Sequence, residues 1–309
     1  MDGQLAYFAQ QVLNALQLAS FYVPLALAFA LIQAITKRVF LSFGDITMFG
    51  SFAAVYMCFT TLLRGNDDLV SSLTGLVAAL LCAGALGLVI ARFVFKPLMS
   101  TSAQAFMITS VGLSIMLQEV MRLQSGGRDI WIPPLFQGLK LIISQSANLS
   151  ITLINVFSVL VSVTVVTLVA FILISSRFGR NWRACAQEIA LARLCGVNTA
   201  AVIEQSFMLG SALSATSGWI AAVVYGGTSF SSGMMLGFKA MFAAVIGGFS
   251  SVRGAVLGAL SLAGLEVVWS AFFGSTYRDV GVFAIIICIL LLRPEGLAGL
   301  SAQRESELR

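Results

Sequence analysis

The sequence predicts an all-α, polytopic membrane protein with about eight transmembrane helices plus one candidate re-entrant segment. Three observations lead there. Of the 309 residues, 59% are hydrophobic and only 10% charged, whereas soluble domains carry about 25% charged residues. The mean hydropathy is +0.96. Apolar runs approaching the ~20 residues that cross a hydrocarbon core recur along the chain, with basic residues at their ends.

In chain order the runs are Leu13–Ile35, Val39–Leu63, Leu69–Phe95, Ala103–Leu123 and Leu149–Ile174. After a basic loop come Val202–Tyr225, the short Met234–Gly248, Ala255–Phe273 and the short Val280–Leu292. The two short segments are expected to be tilted, re-entrant or half-buried in protein. The opening MDGQLAYFAQQ is acidic, so no cleavable signal peptide is expected and the first span is retained. No stretch reads as a separate soluble domain. Residues 1–309 form one transmembrane domain, with a cytoplasmic loop at 175–200 and an external loop at 124–148. The latter carries Trp131, Pro133 and Pro134 and offers a docking surface.

The loop SSRFGRNWRACAQEIALARLCGVNTA (175–200) holds Arg177, Arg180, Arg183 and Arg193. Basic loops between spans stay on the cytoplasmic side. Ala184, Glu188, Leu191 and Cys195 recur at helical spacing, so one short amphipathic helix is expected, capped by Asn181 and ended by Gly196. Counting spans outward from this loop places twelve of the 18 Lys and Arg inside, among them Lys37, Arg38, Arg92, Lys96, Arg253, Arg293, Arg304 and Arg309. Arg64, Arg122, Arg128, Lys140 and Arg278 fall outside. The predicted orientation is N-terminus outside and C-terminus inside.

The net charge of +5 is no nucleic-acid signal, because no basic run exists. Five scattered cysteines lack metal-ligand spacing and are expected reduced. The chain has no histidine, hence no catalytic triad and no common general base. It has no Gly-Lys dipeptide, hence no phosphate loop of the G-x-x-x-x-G-K-[ST] kind. Neither a catalytic residue, a metal site nor a bound cofactor is expected on this chain.

Charges inside spans are costly and mark partners or paths. Asp45, with Ser42, Gly44, Thr47 and Gly50, reads either as a helix broken beside a cavity or as an acid at a helix N-terminus. Glu266 lies mid-span and reads as a partner for Lys239 or as a substrate contact. Gln118 and Glu119 stand near an outer mouth, with Arg122 spaced to pair with Glu119. Glu204 compensates the dipole of its helix. Gly254 and Gly258 form a GxxxG, beside Ala255, Ala259 and Ala263, for close helix packing.

The stretches FGRNWRACAQEIALARLCGVN (178–198), ITSVGLSIMLQE (108–119), LGFKAMFAAVIGGFSSVRGAVLGALSLAGLE (236–266), YRD (277–279) and LLLRPEGLAG (290–299) appear in this order. In them the chain resembles the smaller permease subunit of bacterial branched-chain amino acid ATP-binding cassette importers. The similarity covers nearly the whole chain. One departure is Leu41-Ser42-Phe43-Gly44-Asp45, where many members carry an Asn-Phe-Ala-His-Gly type of sequence. Similar importers handle urea, short amides, other amino acids or aromatic acids, so the resemblance leaves the solute open.

The resemblance implies a permease of the bacterial cytoplasmic membrane that works with a second permease, two ATPases holding ATP and Mg, and a periplasmic binding protein. It makes Arg180–Gly196 the helix that couples to an ATPase, through Arg180, Arg183, Glu188, Leu191, Arg193 and Gly196. A translocation path lined by Ser42, Asp45, Gln118 and Glu266 is expected. Two other readings compete. An ion- or proton-coupled secondary transporter would relay through Asp45, Lys239 and Glu266, and an uncoupler would stop it with ATP maintained. A membrane scaffold would show neither flux nor stimulation of an ATPase.

Overall fold

The computed structural model describes residues 2–98, 101–133, 140–144, 149–248 and 252–292. Pro134, Arg293, Arg304, Arg309 and the RPEGL run, named above, lie outside these residues. Within them the fold is a helical bundle, and seven helices are long and apolar enough to cross a membrane.

Helix α1 (Asp2–Thr36) is apolar on every side from Ala19 to Ile35 and is buried accordingly. It ends where Lys37 adopts a left-handed φ of 49° and Thr36 Oγ1 donates to Ile32 O and Arg38 O. The chain then turns back into the bundle, burying Phe40 against Phe43, Phe95 and Phe207. Helix α2 (Phe43–Leu63) follows. Helix α3 (Asp68–Ile90) continues through a π-helical turn (Ala91–Phe95) into α4 (Lys96–Leu98). Ser102 caps α5 (Ala103–Gln124), its Oγ accepting from Ala105 N.

Four short strands were not foreseen. β1 (Ile130–Trp131) pairs antiparallel with β4 (Gly227–Thr228), and β2 (Lys140–Ser144) with β3 (Leu149–Thr152). The expected span Leu149–Ile174 is corrected by the second pair: its first four residues are strand, and α6 (Leu153–Ser175) begins after them. Then come α7 (Arg177–Gln187), α8 (Ile189–Leu194), α9 (Thr199–Tyr225), α10 (Ser232–Gly247), α11 (Val252–Phe273) and α12 (Arg278–Leu292).

Helices α1 and α9 form the centre. Their apolar windows are 83% and 72% buried, against 28% for α5, α6 and α11. α9 packs on α1, α2 and α3, while α1 also packs on α6, α10 and α11. Helix α10 has 16 residues, about 24 Å of rise, which falls short of a ~30 Å core. The strand before it buries Thr228, whose hydroxyl shares a 2.6 Å hydrogen bond with Ser51 of α2.

The basic residues gather at one end. Lys37 Nζ donates to Gln187 O, Arg38 to Leu98 O and Thr101 O, and Lys96 pairs with Glu204 at 3.0 Å. Glu204 lies beyond the first turn of α9, so its expected role is corrected from dipole compensation to an ion pair with Lys96. The Arg122–Glu119 pair and the Arg278–Asp279 pair involve neither this cluster nor its helices' basic ends.

Candidate functional site

Asp45 lies in the first turn of α2 and is fully buried. The broken-helix reading is corrected: α2 runs unbroken from Phe43 to Leu63. Its glycines serve close approach. A Cβ on Gly44 would stand 1.9 Å from Gly233 O, and one on Gly233 would stand 2.3 Å from Asp45 Oδ1. The starts of α2 and α10 thus cross backbone to backbone beside the carboxylate.

Ser114 Oγ donates to Asp45 Oδ2 at 2.5 Å, and Gln118 Nε2 donates to Oδ1 at 2.8 Å and to Ser114 Oγ at 3.2 Å. Ser114 and Gln118 share one face of α5 at i, i+4. They stand in the wall of a pocket of about 290 Å³ with Phe29, Phe40, Phe238 and Met241. Asp45 sits behind them and fixes their orientation. Asp45 itself does not line this pocket. Ser42 is buried at the start of α2, and its Oγ makes no hydrogen bond. The pocket suits a small solute with an apolar body and a few hydrogen-bonding groups.

Glu266 belongs to a different site, so the four expected path residues do not meet in one cavity. Tyr22 Oη donates to Glu266 Oε1 at 2.8 Å. Lys239 Nζ lies 3.0 Å from Glu266 Oε1, 3.0 Å from Asp279 Oδ1 and 3.0 Å from Tyr22 Oη. Arg278 Nε stands 3.4 Å from Glu266 Oε2. Two acids and two bases balance in charge, with Lys239 and Glu266 buried and Arg278 and Asp279 partly exposed. Sequence reasoning paired Lys239 with Glu266 but missed Tyr22, Ser114 and the part of Arg278 and Asp279. The i, i+4 spacing of Ser114 and Gln118 was a readable signal for the first site. Helix α10 serves both sites, with Gly237, Phe238 and Met241 in the pocket and Lys239 in the network. Gly258 packs on the same helix, where an added Cβ would meet Ala243 O at 2.0 Å, and Gly254 O lies against Gly247.

The loop at 175–200 is two helices rather than one. Glu188 takes an extended conformation (φ −152°, ψ 113°) and separates α7 from α8. Asn181 is not the cap: Ser176 Oγ accepts from Gly179 N. Gly196 has φ +81°, and Val197 N–H donates to Ala192 O in a Schellman-type end. Trp182 Nε1 donates to Leu31 O, anchoring α7 to α1 at 3.2 Å. Burial pushes the Cys185 thiol up. Arg180, Arg183, Glu188, Arg193 and Gly196 are exposed on the other side, as are Leu191 and Leu194 at 61% and 84%.

The chain as a whole is similar to known proteins. The family described as branched-chain amino acid transport system / permease component matches residues 11–291. The chain belongs to this family. It is 34% identical to the high-affinity branched-chain amino acid transport system permease protein LivH of Salmonella typhimurium, over 97% of this chain and 98% of LivH. LivH of Escherichia coli K12 gives the same identity and coverage. Permease BraD of Pseudomonas aeruginosa is 30% identical over 96% of this chain and 97% of its own. The autoinducer 2 import system permease LsrC of Salmonella paratyphi B is 30% identical over 74% of this chain and 72% of its own. This family member is a multi-pass membrane permease subunit, and the secondary-transporter reading is not favoured.

Proposed function

We propose that the chain is one of two permeases of an ATP-binding cassette importer in the bacterial cytoplasmic membrane, carrying branched-chain amino acids or a related small polar solute. It is a single domain over 1–309, with its N-terminus outside and C-terminus inside, 175–200 in the cytoplasm and 124–148 outside. Two ATPases supply ATP and Mg, and a periplasmic binding protein delivers the solute.

The observation that carries this reading is the α7–α8 pair. It combines exposed Leu191 and Leu194 with Arg180, Arg183 and Arg193, and it is fastened by Trp182 to the most buried helix. A chain without a phosphate loop needs such a surface for the partner that hydrolyses ATP. Closure of that partner moves α7, α1 follows, and packed helices carry the motion inward. The pocket of Ser114 and Gln118, supported by Asp45, is the path on this side.

Gentle purification of the tagged chain from its native membrane tests the reading. Two P-loop ATPases and a second permease are expected with it. A folded chain that reproducibly emerges alone would refute the importer assignment.

A further inference from the structure

The charge network borders a second cavity. A space of about 240 Å³ is lined by Glu266, Ser270, Arg278 and Gln17, with apolar wall from Phe21 and Ile220. None of these residues lines the Asp45-supported pocket. At its wall an acid and a base are incompletely engaged. Tyr22 and Lys239 hold Glu266 Oε1, which pins the carboxylate. Glu266 Oε2 and Arg278 Nε face each other at 3.4 Å, and neither makes a hydrogen bond. Glu266 is 1% exposed, so its second oxygen gains nothing from bulk water, whereas the Arg278 side chain is 37% exposed and lies 3.7 Å from Asp279 Oδ1 as well.

A buried acceptor and donor left unmade are unfavourable, and a ligand that satisfies both is favoured by that difference. The required ligand presents a cation to Glu266 and, a few ångströms away, an anion to Arg278. An α-amino acid zwitterion has that shape, and the apolar wall suits an aliphatic side chain. We propose that this cavity is a binding site for α-amino acids with apolar side chains, separate from the Asp45-supported pocket. The ammonium group replaces Arg278 Nε on Glu266 Oε2, and the released guanidinium takes the carboxylate in a two-pronged hydrogen bond. The site rests on the reading of the chain as an amino acid permease, but it requires no ATPase.

Equilibrium binding of labelled L-leucine to the purified complex in nanodiscs, without nucleotide, is the test. Wild type is expected to bind L-leucine and to reject leucinamide, 4-methylpentanoate and glycine, which lack the carboxylate, the ammonium and the side chain in turn. Arg278→Gln should weaken binding at least about tenfold, the equivalent of one charged hydrogen bond. Val267→Trp, which fills this cavity, lies outside the Asp45-supported pocket and keeps every ion pair, should do the same. Absence of leucine binding in wild type, or binding unchanged in both Arg278→Gln and Val267→Trp, would overturn the site. Because the same preparation reports whether ATPases are present, failure of the site and failure of the importer reading are read separately.

Discussion

At the residue scale, Asp45 is a support whose charge and hydrogen bonds are separable. Asn at this position keeps an acceptor for Gln118, and Ser114 is able to reverse its hydroxyl, so Asp45→Asn should reach the membrane at near wild-type level with reduced uptake. Asp45→Ala leaves both partners of a buried network unpaired, at about 1–3 kcal/mol for each group, and should lower the amount of folded protein as well. Comparing uptake with immunoblotted membrane protein separates the two; equal loss of both in Asp45→Asn would make the carboxylate purely structural. Asp45, Gln118, Lys239 and Glu266 were legible in the sequence because charge and amide stand out in apolar runs. Tyr22 was not, because a tyrosine in a span is ordinary until its partner is known, and Ser114 was marked only by its i, i+4 spacing to Gln118. That Gly44 is a contact rather than a hinge was equally hidden: it follows from Gly233, nearly two hundred residues away.

At the element scale, the basic loop was visible as a helical surface element, but the shared face of Ala184, Glu188, Leu191 and Cys195 is interrupted at Glu188. The break itself was not visible, since Glu is a good helix former and nothing local demands the extended conformation. Two outcomes follow from its geometry. Leu194→Glu alters a side chain 84% exposed, so folded yield should be unchanged while co-purifying ATPase falls at least about tenfold, the equivalent of losing one buried apolar side chain. Full ATPase recovery would move the docking surface elsewhere. Trp182→Phe removes the hydrogen bond to Leu31 O, worth about 1 kcal/mol. Here the ATPase should still bind, and the expected signature is ATP hydrolysis that continues with uptake diminished. If hydrolysis and uptake decline in proportion, Trp182 is not the link between α7 and α1.

At the scale of the whole molecule, the long apolar helices and the gathering of bases at one end follow from hydropathy and charge, which are properties of the sequence itself, although seven helices rather than about eight reach spanning length among the described residues. The strand pairs, the two separate polar sites and the crossing of α2 and α10 at Gly44 and Gly233 depend on contacts between distant segments, and local pattern does not encode those. The gathered bases nevertheless make the orientation testable. Lys37, Arg38, Lys96 and the α7–α8 pair share one end, and the rule that Lys and Arg stay inside predicts that this end faces the cytoplasm. Cys195 is exposed there and Cys185 is buried in the same pair of helices. A charged, membrane-impermeant maleimide should therefore label Cys195 in inside-out vesicles and not in right-side-out cells, with a Cys195→Ser control. Cys185 should stay unlabelled at pH 7. The thiolate is the reacting form, and a raised pKa keeps that form scarce until the pH exceeds the usual thiol range. Labelling of Cys195 from outside intact cells would invert the topology and, with it, the side from which an ATPase reaches α7 and α8.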